Sequence, residues 1–259
     1  MSAPLLEIRD ATVLRDGRSI LRIDELELRD GEHTAILGPN GAGKSTLIKL
    51  ITRDVLPVWT PDSAVLMQGR DRWDLFEARK VFGVVSDDLQ ETYDLAVTVR
   101  DTVLSGFFGS IGLYRRDELS SAMIQRAEET IAFLGIERIA HRTMDTLSTG
   151  EARRALIGRA LVHQPRALVL DEPCDGLDPS ARHHFIETLR DIAQAGTTLV
   201  IVTHHIADII PEVSRVLMLR DGLIARDGGK RELLTHEALS ELFDIPAHIE
   251  SRDGFYQLW

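Results

Sequence analysis

The sequence predicts an α/β fold: a mostly parallel sheet flanked by helices, with an N-terminal antiparallel β region and an inserted α-helical lobe. Three observations carry this. Residues 5–32, LLEIRDATVLRDGRSILRIDELELRDGE, alternate apolar and polar side chains around the turn Asp16-Gly17, the period of strands and hairpins. RALVLDEP (166–173) and TTLVIVTHH (197–205) are continuous leucine and β-branched runs, as in parallel strands buried on both faces. Between them ARHHFIETLRDIAQAG reads as a helix closed by Gly196, and strands alternating with helices build an open parallel sheet.

The remaining elements follow in chain order. HTAILGPNGAGKSTLIKLIT (33–52) is a strand, a glycine loop and a helix. The stretch from Arg53 to Gln90 is mixed, and short strands are expected there. From Val99 to about Val162 helical spacing dominates, as in ELSSAMIQRAEETIAFLGI and EARRALIGRALV. The expected organisation is one domain over 1–259: an α/β core at about 1–90 and 163–235, the inserted lobe at about 91–162, and a C-terminal tail at about 236–259. No Pro/Gly/Ser-rich linker, repeat or low-complexity tract interrupts it.

Composition narrows the function. A chain of 259 residues with 44% hydrophobic content can bury a large core. A net charge of -11 argues against nucleic acid or an anionic membrane surface as partner, because both need a basic face. The single cysteine, Cys174, can form no intramolecular disulfide, which suits a reducing compartment. No apolar run reaches the roughly 18 residues of a spanning helix, and MSAPLLEIRD has no apolar signal core. The expected location is the cytoplasm, with peripheral docking on the inner face of the membrane left open.

Gly38-Pro39-Asn40-Gly41-Ala42-Gly43-Lys44-Ser45-Thr46 fits G-x-x-x-x-G-K-[ST] between a strand and a helix, the loop of P-loop NTPases. Glycines let the backbone wrap an anion with its N–H groups inward, and the helix N-terminus adds partial positive charge. A polyphosphate fits that concavity, with Lys44 reaching the β and γ phosphates and Ser45 ligating Mg²⁺. The alternative is a glycine-rich turn without a ligand. Asp171 and Glu172 end an apolar strand, where successive residues face opposite ways. Asp171 is thus expected in the Mg²⁺ shell and Glu172 as the general base for water; the alternative is a pair of acids at a solvated strand end. At the end of the next strand His204 can contact the γ phosphate, and a metal pair with His205 is not expected because adjacent strand side chains diverge.

LSTGE (147–151) precedes a helix upstream of the Asp-Glu strand. Locally it is a capping box of Ser148 with Glu151. It also resembles the signature sequence of ATP-binding cassette (ABC) ATPases, and the order of glycine loop, helical insert, LSTGE, LVLDEP, CDGLD and VTHH makes the resemblance specific over roughly residues 5–230. It implies that Gly38 to Thr46 is the Walker A loop holding ATP, Ala167 to Glu172 the Walker B strand, Cys174 to Asp178 the D-loop and His204 the switch histidine. It further implies a head-to-tail dimer with itself or a related subunit, in which Ser148 and Gly150 complete the partner's ATP site. Where the family has an adenine-stacking aromatic this chain has Arg15, whose guanidinium plane can also stack. At the Q-loop it has Asp87, with Gln90 three residues on, either of which could approach the Mg²⁺. The D-loop begins with Cys174 where serine or threonine is usual.

VVSDDLQ followed by VTVRDTVLSGFFGSIGLY is similar to a branch associated with molybdenum uptake, and the tail from residue 232 resembles ATPases of metal-chelate importers. A polytopic membrane permease is therefore an expected partner. Phe107, Phe108 and Tyr114 are either its docking surface or internal packing of the lobe. The rivals are a stand-alone soluble ABC ATPase with a regulatory or repair role and a non-hydrolysing ATP sensor. No sustained heptads lie between Lys44 and Asp171, against a chromosome-maintenance ATPase, and Glu172 speaks against a sensor.

Overall fold

The computed structural model describes residues 3–86, 96–110 and 112–259. In chain order its strands are β1 (Leu6–Arg15), β2 (Arg18–Leu28), β3 (Thr34–Leu37), β4 (Ala64–Met67), β5 (Phe82–Val85), β6 (Ala167–Asp171), β7 (Thr198–Thr203), β8 (Arg215–Arg220), β9 (Leu223–Gly229), β10 (Ile249–Arg252) and β11 (Phe255–Leu258). The helices are α1 (Lys44–Ile51), α2 (Leu75–Val81), α3 (Val99–Ser105), α4 (Ser121–Phe133), α5 (Thr149–Leu161), α6 (Pro179–Gln194), α7 (Lys230–Leu233) and α8 (His236–Phe243).

The main sheet has the order β4-β1-β2-β9-β8-β3-β7-β6-β5. Its β8-β3-β7-β6-β5 half is parallel, whereas β4-β1-β2 is antiparallel and joins through one parallel pairing of Arg22 with Leu223. This is the mixed α/β sheet that the sequence patterns predict. The first hairpin closes on Asp16 and Gly17 with φ of 51° and 75°, both left-handed as a two-residue turn of type I′ requires.

The continuous apolar runs of β6 and β7 are explained by what covers them. Leu168, Leu170, Leu199 and Ile201 enter a core shared with α3 to α6, while Ala167, Val169, Val200 and Val202 enter a second core with α1, β1 and β2. Both faces are covered, so the period-two pattern gives way to apolar residues at every position. Helix α5 brings the inserted helices down onto the sheet. It fits because β5 offers Gly83, where a Cβ would stand 3.1 Å from Leu168 Cδ1 and 3.2 Å from Ala160 Cβ. Helix α6 starts on Asp178, whose carboxylate accepts from Ser180 N and Ala181 N, with Pro179 next, and ends before Gly196 at φ 97°.

Helix α2 stands where only short strands were expected. Its neighbourhood is fixed by tertiary contacts rather than by local pattern: Ala78 packs on the second core, and the Trp73 indole just upstream donates to Met67 O at 2.9 Å. At the other end of the chain, β10 and β11 form a separate hairpin. Lys230 pins it, its buried ammonium donating to Ile210 O and Pro211 O at 3.0 Å and Gly254 O at 3.3 Å. Burial holds the pKa of this lysine below its ordinary value.

The parallel register fixes the site. Leu37 pairs with Thr203 and Asp171 with Val202, so β3, β6 and β7 end side by side and everything after them projects from one edge. Leu168 is fully buried between this edge and the helices. Leu168→Ala is expected to cost about 2–5 kcal/mol in urea unfolding; a loss below about 1 kcal/mol would mean that the parallel sheet and α5 are not packed as described.

Candidate active site

The loop after β3 is shaped by two glycines. A Cβ on Gly38 would lie 2.2 Å from Leu219 O, so no other residue fits there, and Gly38 N donates to Thr203 O at 3.3 Å. Gly43 is the N-cap of α1 with φ 101°, the turn that reverses the chain into the helix. The first turn of α1 carries no acidic residue, leaving its positive end uncompensated by charge from within. Lys44 opens the helix and is only 7% exposed. Its ammonium donates to Gly38 O at 2.9 Å and Pro39 O at 3.2 Å, and stands 3.3 Å from Glu172 Oε1.

Glu172 follows the last residue of β6 with φ 43°, a left-handed conformation that costs a non-glycine residue about 1–3 kcal/mol and persists only where the surroundings impose it. They do: its N–H donates to Val202 O at 2.8 Å, and its Oε2 accepts from His204 N at 3.2 Å. The His204 ring adds Nδ1 at 2.9 Å from the same Oε2, an ion-pair distance whose angle falls short of hydrogen-bond geometry. Burial pushes the Glu172 carboxyl up, but His204 and the Lys44 ammonium more than offset it, and the group titrates below its ordinary value. It is a carboxylate at neutral pH.

Asn40, Gly41, Gly43, Lys44, Ser45, Thr46, Asp171 and Glu172 line one cleft of about 970 Å³, at the upper end of the roughly 300–1,000 Å³ of small-molecule sites. Arg15, at the end of β1, lines it too. Gly38, Pro39 and Ala42 stand behind it: the first two hold Lys44, and Ala42 is buried. The Ser45 hydroxyl and the Asp171 carboxylate give the cleft the hard oxygen donors that Mg²⁺ takes, one or two carboxylates sufficing beside phosphate oxygens.

Ser148 and Gly150 are not among the residues that line this cleft. They open α5 with a full capping box: Ser148 Oγ accepts from Glu151 N at 3.3 Å while Ser148 N donates to Glu151 Oε2 at 2.9 Å. Ser148 is exposed, and Gly150 packs toward Leu177 and Ala181 of the same chain. Asp87 and Gln90 lie outside the described residues; Ser86, just before them, lines the cleft.

One sequence argument needs correction. The rings of His204 and His205 do not diverge: their centroids are 3.8 Å apart, because β7 ends at Thr203 and strand alternation no longer governs the two residues. The aromatic cluster divides between internal packing and exposure. Phe107 packs on the main core and meets His163 edge-on at 5.6 Å, Phe108 lies under Arg115 at 5.3 Å, and Tyr114 is 73% exposed.

Sequence reasoning missed a buried support beneath His204. Asp208, 1% exposed, accepts from Thr203 Oγ1 and from Arg182 of α6, both at 2.7 Å, and His205 N donates to Thr203 Oγ1 at 3.0 Å. Burial, with Asp208 nearby, pushes the Cys174 thiol up to about 12, so it is a neutral packing group. The signal in the sequence was a lone aspartate in an apolar segment, IADII; its arginine lies on another element.

Among the described residues no helix is long and apolar enough to cross a membrane. The family model described as ABC transporter matches residues 21–175. The chain is 34% identical over 248 residues to the uncharacterized ABC transporter ATP-binding protein YlmA of Bacillus subtilis, covering 95% of this chain and 93% of that one. It is 33% identical over 235 residues to the hemin import ATP-binding protein HmuV of Aliivibrio fischeri, covering 88% and 86%. Among solved structures it is similar to the dimeric post-hydrolysis state of the ATP-binding cassette MJ0796 bound to ADP and Pi, with TM-score 0.70, 25% identity and coverage of 86% and 98%. The chain belongs to the ABC transporter family and is one of its ATP-binding, ATP-hydrolysing cassettes.

Proposed function

We propose that this cassette hydrolyses Mg-ATP in the cleft after β3, with Glu172 as the base, and that it works as a head-to-tail dimer energising a membrane permease. The observation that carries the catalytic part is the position of Glu172, held between Lys44 at 3.3 Å and His204 at 2.9 Å at the mouth of the phosphate loop. In this reading the loop amides and the α1 N-terminus bind the β and γ phosphates, and Lys44 turns its ammonium from the loop carbonyls to the γ phosphate. Ser45 and Asp171 hold Mg²⁺, which when bound neutralises charge on the phosphate oxygens. Glu172 accepts the proton of the attacking water as the bond to ADP breaks, and His204 steadies the carboxylate and senses the γ phosphate. Arg15, which lines the cleft, contacts the adenine.

The dimer is supported by where the signature residues stand. Ser148 is exposed at a capped helix N-terminus outside its own cleft, a suitable donor to a nucleotide held by another copy. The dimeric relative points the same way. Coupling to transport rests on the family and on the hemin-import relative. Tyr114 and the half-buried Phe108 are the surface we assign to the permease, Phe107 being committed to the core. Both the cytoplasmic location and the peripheral attachment follow from that assignment.

Glu172→Gln is expected to keep Mg-ATP affinity while kcat falls about 10²–10⁴-fold, the usual contribution of a general base, measured by phosphate release; unchanged turnover would refute the base. Lys44→Ala should weaken Mg-ATP binding by at least about tenfold in titration calorimetry, as expected for loss of a charge-assisted contact worth roughly 1.5–3 kcal/mol. Retained affinity would remove the phosphate-cradle role. For the permease surface, Phe108→Glu with Tyr114→Glu should abolish co-purification with the membrane partner and leave basal hydrolysis unchanged; intact co-purification with coupled transport would dispose of it.

A further inference from the structure

Glu172 is held in a left-handed backbone conformation against its own strain from two sides. Part of the support comes from β7 and His204. The rest comes from the other side, from α5. Arg153, five residues after Ser148 on that helix, is 5% exposed, and its Nη1 donates to Pro173 O at 2.9 Å and to Asp175 O at 2.6 Å. These are carbonyls of the turn that starts at Glu172, whose own carbonyl accepts from Asp175 N at 3.1 Å. Both bonds leave one nitrogen of a guanidinium that is planar and permanently charged, so the two carbonyls are held together by a single rigid group. It also satisfies two acceptors that the protein interior would otherwise leave costly.

We propose that Arg153 is a positioning residue for hydrolysis: carried on the helix that begins at Ser148, it clamps the turn at 173–175 and thereby sets the Glu172 carboxylate against Lys44. Its role is indirect, for it is not among the residues lining the cleft. The link is directional in its consequence. The end of α5 that we assign to the partner's ATP and the turn that carries this chain's base are joined by one side chain, so displacement of the helix displaces the base. This rests on the assignment of Glu172 above, and misplacing a catalytic group by about 1 Å can cost on the order of 10²-fold.

The test is a double-mutant cycle in the full-length protein, with kcat from phosphate release and affinity from calorimetry with Mg-ATP. Arg153→Met is expected to lower kcat about 10- to 100-fold with Mg-ATP affinity within about twofold, and Arg153→Lys to recover part of the loss. In a Glu172→Gln background Arg153→Met should have little further effect, because the group it positions is already gone. An unchanged kcat, a loss carried wholly by affinity, or an equal loss in both backgrounds would overturn the proposal. If Arg153→Met does not fold, Arg153→Lys is measured alone: a several-fold lower kcat at unchanged affinity supports the proposal, and unchanged kcat overturns it. Glu172→Gln that hydrolyses normally would instead remove the base assignment, and this proposal with it.

Discussion

A lysine ammonium buried at the start of a helix must be paired, because an isolated charge cannot be taken out of water at bearable cost. Lys44 is paired by two loop carbonyls and by one carboxylate from another strand. Everything else in the site depends on that arrangement. Gly38, which accepts Lys44 at its carbonyl, leaves no room for a Cβ beside Leu219 O, and the carboxylate comes from the end of β6, one strand away from β3 across β7. The same carboxylate then keeps its charge by virtue of Lys44 and His204, against its burial. In the proposed mechanism phosphate binding and water activation thus share one electrostatic element, and an anion entering the loop would compete with Glu172 for Lys44.

The supports around this element come from helices on one face of the sheet. Arg182 on α6 holds Asp208 and through it Thr203, next to His204. Arg153 on α5 holds the turn after Glu172. In each case a buried or half-buried arginine from a covering helix meets a backbone or carboxylate oxygen at a strand end. Buried ionic contacts of this kind add little net stability, since desolvation consumes most of the Coulomb gain. What they supply is a fixed partner for each oxygen at the strand ends, which suits a site whose groups must be placed to a fraction of an ångström.

Much of this molecule was legible in its sequence, for a physical reason: phosphate binding and parallel pairing use local signals. The loop from Gly38 to Thr46 is contiguous, so its glycines, lysine and hydroxyls announce themselves together. The buried strands β6 and β7 show as apolar runs, the Asp16-Gly17 turn needs two left-handed residues, and the Ser148 capping box is written within four positions. What failed was argument by alternation past the end of a strand, as for the two histidines after Thr203, and composition left open which of Phe107 and Phe108 packs inward.

The sequence by itself determined the sheet class, the phosphate loop, the carboxylate pair and the family, because each is encoded in residues adjacent along the chain. The tertiary structure alone decided that Lys44 meets Glu172, that Asp208 pairs with Arg182 and that Arg153 reaches the turn after Glu172. Those pairings join residues 20 or more positions apart on different elements, and only the register of the parallel strands and the packing of α5 and α6 against them bring such side chains within hydrogen-bond reach.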